Sequence, residues 1–128
     1  KALQKIKEYP QEQLLANPLN DKILKQMTDV VKDNMTNTQF GKLEFASALC
    51  VSPSLLYKKT KAIAGLSPVD FIKSVRLDHS IQLLQNKEYT IAEISELCGF
   101  SNQSYFSAVF KKKFGKTPSE YYDTTNDR

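Results

Sequence analysis

The segment Gly65-Leu66-Ser67-Pro68-Val69-Asp70-Phe71 recurs fifty residues later as Gly115-Lys116-Thr117-Pro118-Ser119-Glu120-Tyr121. In the same register Leu56 matches Phe106 and Lys61 matches Lys111. Upstream the offset is one shorter, so that Phe45-Ala46 matches Ile94-Ser95, Cys50 matches Gly99 and Ser52 matches Ser101. A repeat of this period, covering a short helix, a tight turn and a longer helix, is what a duplicated helix-turn-helix unit predicts. Such a unit needs a small residue where its two helices cross and a turn about four residues on. Ala46 with Cys50 and Ser95 with Gly99 meet that need. Gly99 adopts positive φ freely, whereas Cys50 reaches it only at some cost.

Local signals place the helices. A hydroxyl residue precedes proline at Ser52-Pro53, Ser67-Pro68 and Thr117-Pro118. Ser or Thr accepts the free amides at the N-cap, and proline tolerates the first helical position, so each pair predicts a helix start. Thr90 with Glu93 predicts a fourth start by a capping box, and Ser101 after Gly99-Phe100 a fifth. Asn20 is expected to cap a first helix that buries Ile23, Leu24, Met27, Val30 and Val31 and ends near Asn34. A second runs over Phe40 to Leu49. Val69 to Gln85 is the longest, with apolar residues on more than one face, as a helix packed between two units requires. The reading is all-α: two helix-turn-helix subdomains, 20–66 and 87–123, joined by a linker helix at 67–86, about seven helices in total. Residues 1–19 are expected to be a flanking linker and 124–128 a tail.

Charge is distributed in keeping with this duplication. The net charge of +4 is modest, but Lys58, Lys59 and Lys61 in one copy and Lys111, Lys112, Lys113 and Lys116 in the other stand in stretches without Asp or Glu. Two acid-free basic islands at equivalent places suggest two contacts with a polyanion. No apolar run approaches the ~20 residues of a membrane span. Cys50 and Cys98 lack metal-ligand or dithiol spacing, and cysteine use this sparse suits a reducing, intracellular setting. His79, the only histidine, has no triad pattern around it, and no glycine-rich phosphate loop or carboxylate pair appears. Neither an enzyme, a cofactor nor a metal is expected. The chain begins at Lys1 rather than Met, and we expect it to be a piece of a longer protein.

From Phe40 to Tyr122 the sequence resembles the AraC/XylS family. The resemblance is carried by Thr90-Ile91-Ala92-Glu93-Ile94, Cys98-Gly99-Phe100, Ser104-Tyr105-Phe106-Ser107, Phe110-Lys111-Lys112 and Gly115-Lys116-Thr117-Pro118-Ser119-Glu120-Tyr121. Arg76-Leu77 followed by Leu83-Leu84 is similar to the family's linker helix. The segment Asn20 to Asn34 is similar to what precedes this domain in hybrid two-component regulators. The resemblance implies a cytoplasmic, sequence-specific binder of double-stranded promoter DNA, the output domain of a transcription regulator whose parent chain is an inner-membrane hybrid sensor. RNA polymerase is a further candidate partner. Dimerisation is expected through parts of the parent chain outside this sequence, and no membrane contact is expected of this domain. Three positions depart from the pattern: Thr60 replaces a large apolar residue, Ser80 an alanine, and Ala108 an arginine that often reaches DNA.

In each unit the second helix should place its outward face in a major groove, with residues near its N-terminal end reaching base edges. Leu56, Thr60 and Ile63 form one inward stripe, leaving Ser54, Tyr57, Lys58 and Lys61 outward. Phe106, Phe110 and Phe114 form the other, leaving Gln103, Ser104, Ser107, Ala108 and Lys111 outward. Ser54, Tyr57, Lys58, Asn102, Gln103, Ser104 and Ser107 are the expected base readers. Lys61, Arg76, Lys111 and Lys112 are the expected phosphate ligands, although Arg76 has an alternative in holding the linker in place. Tyr105 is grouped with the core aromatics. The competing reading is a protein-interaction module of the same fold that binds DNA weakly and without sequence preference, motivated by Thr60 and Ala108.

Overall fold

Every Ser-Pro or Thr-Pro pair opens a helix. The Ser52 hydroxyl accepts from Leu55 N (3.1 Å), Ser67 from Asp70 N (3.2 Å) and Thr117 from Glu120 N (3.1 Å). Thr90 and Glu93 close the expected capping box, Glu93 N donating to Thr90 Oγ1 and Thr90 N to Glu93 Oε1. Each cap satisfies amides that a helix end leaves without a partner and contributes about 1 kcal/mol. The chain is described by a computed structural model over residues 18–126, with side chains from 19 to 123. Most of the flanking segment 1–19 therefore lies outside the described residues, as do the side chains of the tail 124–128.

Seven helices and no strand are present among the described residues: α1 (Pro18–Asp33), α2 (Lys42–Ala48), α3 (Pro53–Ala64), α4 (Pro68–Asn86), α5 (Ile91–Leu97), α6 (Gln103–Phe114) and α7 (Pro118–Asn126). Three expected boundaries move. The first helix begins at Pro18, so Asn20 lies inside it rather than before its first residue. The second helix begins at Lys42 rather than Phe40, with Gly41 at its N-cap and the Gly41 amide held by Glu44 Oε1 at 2.9 Å. The cap of α6 is Asn102, not Ser101: Tyr105 N donates to Asn102 Oδ1 at 2.7 Å.

Helix α4 supports two cores. Its first half gives Phe71, Ile72 and Val75 to a cluster with Met27, Val31, Phe40, Phe45 and Leu56. Its second half gives Leu77 and Leu84 to a cluster with Ile94, Cys98, Phe100, Phe106 and Phe110. Ring contacts run through both, Phe45 on Phe71 at 5.7 Å between centroids and Phe106 on Phe110 at 5.7 Å. Full burial of such a side chain contributes about 1.5 to 3 kcal/mol. Two departures from the family pattern are accommodated locally. Thr60 is fully buried and donates to Tyr57 O (3.2 Å), and Ser80 donates to Leu77 O (2.6 Å).

The two turns are closed by equivalent bonds. Val51 N donates to Ala46 O at 3.0 Å, and Phe100 N donates to Ser95 O at 3.0 Å. Cys50 and Gly99 occupy the left-handed region, at φ 60° and 82°. They differ in surroundings, because Cys50 is exposed whereas a Cβ on Gly99 would lie 2.2 Å from Met35 O and 2.9 Å from the Arg76 guanidinium. Glycine at 99 is thus required by close approach as well as by φ.

Candidate nucleic-acid interface

The inward stripes of α3 and α6 are as the spacing predicts. Leu56, Thr60, Phe106 and Phe110 are fully buried, with Ile63 and Phe114 half-buried beside them. A side chain one or two positions away on a helix points elsewhere, so this packing turns the remaining faces outward. On α3, Ser54, Tyr57, Lys58 and Lys61 are exposed. Tyr57 shows half its surface, and the Lys61 ammonium stands 5.8 Å from the centre of its ring. On α6, Gln103, Ser104, Ala108, Lys111 and Lys112 are exposed and Ser107 is half-buried. Neither helix carries an acid, so both faces present donors, aromatic surface and positive charge.

Two expected site residues, Arg76 and Asn102, are placed differently from the rest, and so is Lys113, beside the expected ligands Lys111 and Lys112 in sequence. Arg76 is turned inward and only 8% exposed, with Nη2 donating to Asn37 O at 2.7 Å. Its holding role is the one realised, and it is withdrawn from the phosphate set; burial also pulls its pKa down. Asn102 is exposed, but its carbonyl oxygen is engaged in capping α6, which leaves only the amide nitrogen for a base. Lys113 of the second basic island reaches back to α4, donating to Ser74 Oγ at 2.7 Å and Asp78 Oδ1 at 2.9 Å.

Tyr105 corrects the sequence reading. It is 47% exposed rather than part of the core, resting tilted on Phe100 at 6.0 Å. Leu55, its counterpart fifty residues earlier, is likewise 42% exposed. Tyr105 therefore adds a phenol to the outward end of α6. Other chemistry is sparse: no group of residues that could hold a metal ion occurs among the described residues. Cys98 is buried, and desolvation pushes its thiol up to about 12 despite the Arg76 charge nearby. No helix there is long and apolar enough to cross a membrane.

Residues 45–124 match a family model described as a helix-turn-helix domain. Over 122 residues the chain is 35% identical to histidine kinase P4 of Formosa agariphila, a match that covers 95% of this chain and 9% of that protein. Among solved structures, it resembles a transcriptional regulator from Chromobacterium violaceum described as of AraC-type DNA-binding domain-containing proteins. The identity is 26%, the TM-score 0.76, and the match covers 85% of this chain and 96% of that one. It also resembles the C-terminal domain of AraT, a response regulator from Geobacillus stearothermophilus, with 29% identity, a TM-score of 0.72, and 80% and 84% of the two chains covered. The chain spans less than half the length of the curated relatives it matches.

Proposed function

The chain belongs to the AraC-type helix-turn-helix family of DNA-binding domains, and we propose that it is the sequence-reading output end of a longer transcription regulator. In this reading α3 and α6 enter successive major grooves of one duplex. The observation that carries it is the duplicated pair of outward faces, alike in position, free of acids and each backed by a separate core. Ser54, Tyr57, Lys58, Gln103, Ser104 and Ser107 read base edges, assisted by the Asn102 amide and by Tyr105. Gln103 suits adenine and Lys58 suits guanine, each good pair discriminating by ~1 to 3 kcal/mol. Lys61, Lys111 and Lys112 hold phosphates, which fixes position without reading sequence.

The subdomain limits 20–66, 67–86 and 87–123 follow from the same reading, with residues 18 and 19 added to the first helix. The domain itself carries no catalytic step and works in the cytoplasm, where promoter DNA is found. The kinase named in one relative belongs to that much larger protein. RNA polymerase is a candidate second partner, and pairing of two copies is assigned to other parts of a parent chain.

The test is selection from a random DNA library at two salt concentrations, followed by competition of the enriched sequence against scrambled duplex. The expected result is a motif with two half-contacts about one helical turn apart, bound far less well by the Lys58→Ala/Gln103→Ala protein with its fold intact. Absence of enrichment, with binding lost at moderate salt, would leave the module as a protein-interaction unit, the reading that Ala108 favours by its missing cation.

A further inference from the structure

We infer that Arg76 fixes the separation of the two recognition helices, and with it the half-site spacing that the domain accepts. This rests on the DNA-binding reading above. Arg76 stands on α4 where the two cores meet, with Val75 in the first and Leu77 in the second. Its guanidinium donates to Asn37 O in the α1–α2 connection of unit one. On the side of unit two it lies against Gly99, where a Cβ would come within 2.9 Å of Cζ and Nε. The same Gly99 backs onto Met35 O of unit one. The turn of one unit and the loop of the other are thus pressed together around a single planar group.

Electrostatics does not explain why a charge sits there. Arg76 has no carboxylate within ion-pair distance among the described residues, and its buried Nε has no hydrogen-bond partner. What the guanidinium supplies is a flat, rigid spacer that an ammonium does not replace. One residue pair further strengthens the link: Ser74 and Asp78, flanking Arg76 on α4, are the partners of Lys113 in the last turn of α6. The second recognition helix is therefore registered against the stretch of α4 that grips unit one. Each added base pair moves a half-site by about 3.4 Å and turns it by about a tenth of a helical turn, so a rigid pair tolerates little change.

Two arms test this, both on the whole chain. In the first, the enriched DNA is altered by one or two base pairs between its half-contacts and compared with isolated half-sites. The intact domain should lose about tenfold in affinity for a one-pair change. Arg76→Ala, checked by circular dichroism for its fold, should bind half-sites within about twofold of the parent. It should lose about tenfold on the unaltered site and show a flattened spacing profile. In the second arm, without DNA, spin labels at Ala62→Cys and Ala108→Cys in a Cys50→Gly background report the separation of α3 and α6. A narrow distance distribution should broaden in Arg76→Ala. If that protein does not fold, Arg76→Lys, which keeps the stem and the charge, should show the same changes. A parental spacing profile or an unchanged narrow distribution in a folded variant overturns the inference, as does an equal loss on half-sites and full site. Failure of the intact domain to enrich any DNA overturns the binding reading and the spacing claim with it, whereas the label distances still decide whether Arg76 locks the units.

Discussion

Lys113 donates to the Asp78 carboxylate at 2.9 Å, and this pair divides the second basic island by role. Lys111 and Lys112 remain exposed, while Lys113 spends its charge within the protein. Each phosphate contact contributes about 0.9 to the slope of log affinity against log salt. Lys111→Ala and Lys112→Ala should each lower that slope by about one. Lys113→Ala should leave it unchanged and cost up to about 1 kcal/mol of stability, as expected for a half-exposed pair. Titrations at four or five salt concentrations decide this; an equal slope loss in all three variants would place Lys113 on the DNA.

The glycines of the second unit differ in what surrounds them. Gly115 lies at φ 85° with nothing within 4 Å of where an added methyl group would stand, so Gly115→Ala should cost about 1 kcal/mol from backbone strain alone. Gly99→Ala meets the same strain and the Met35 carbonyl, and should cost above ~3 kcal/mol. Urea midpoints of the two variants measure the contrast, and similar losses would contradict it.

Thr60 places a hydroxyl in the apolar core of unit one and returns it to its own helix through Tyr57 O. Thr60→Val keeps the branched shape and removes the polar atom. It should stabilise the chain by about 1 kcal/mol with no change in the denaturant slope. A loss of stability would show that the hydroxyl bond outweighs its burial.

His79 on α4 has its pKa lowered by burial and then by the nearby Lys32 ammonium. The unfolded chain binds that proton more readily than the folded one. The stability involved is fully present above pH ~6.5 and is lost as pH falls through the lower folded value. Glu120, held below its ordinary pKa by hydrogen bonds from Thr117, acts further down the acid range. Unfolding midpoints between pH 7 and 5 should therefore fall in the parent and fall less in His79→Gln. Parallel curves would remove His79 from the account.

Much of this was legible because it is local. A hydroxyl before proline and a Thr with Glu three residues on each act within one helix turn, and the helices at Pro53, Pro68, Ile91 and Pro118 begin where those residues put them, whereas apolar spacing marked the faces of the first two helices and not their starts. Adjacent capping residues were harder: Ser101 and Asn102 both suit an N-cap, and only the geometry of the turn selects Asn102. Tyr105 was misplaced because an aromatic beside the core residue Phe106 reads as apolar, and only the packed helix shows it, like Leu55 in the other unit, on the outer side. The contacts that define Arg76, Gly99 and Lys113 join residues far apart in sequence, where neither spacing nor capping chemistry carries information.

Because α4 contributes side chains to both cores, neither unit owns a complete folding surface. Melting one core would strip support from the helix on which the other rests, so the chain should unfold in a single transition. A DNA-binding domain built this way has no state in which one unit survives alone, and loss of structure would abolish its binding at a threshold rather than by degrees.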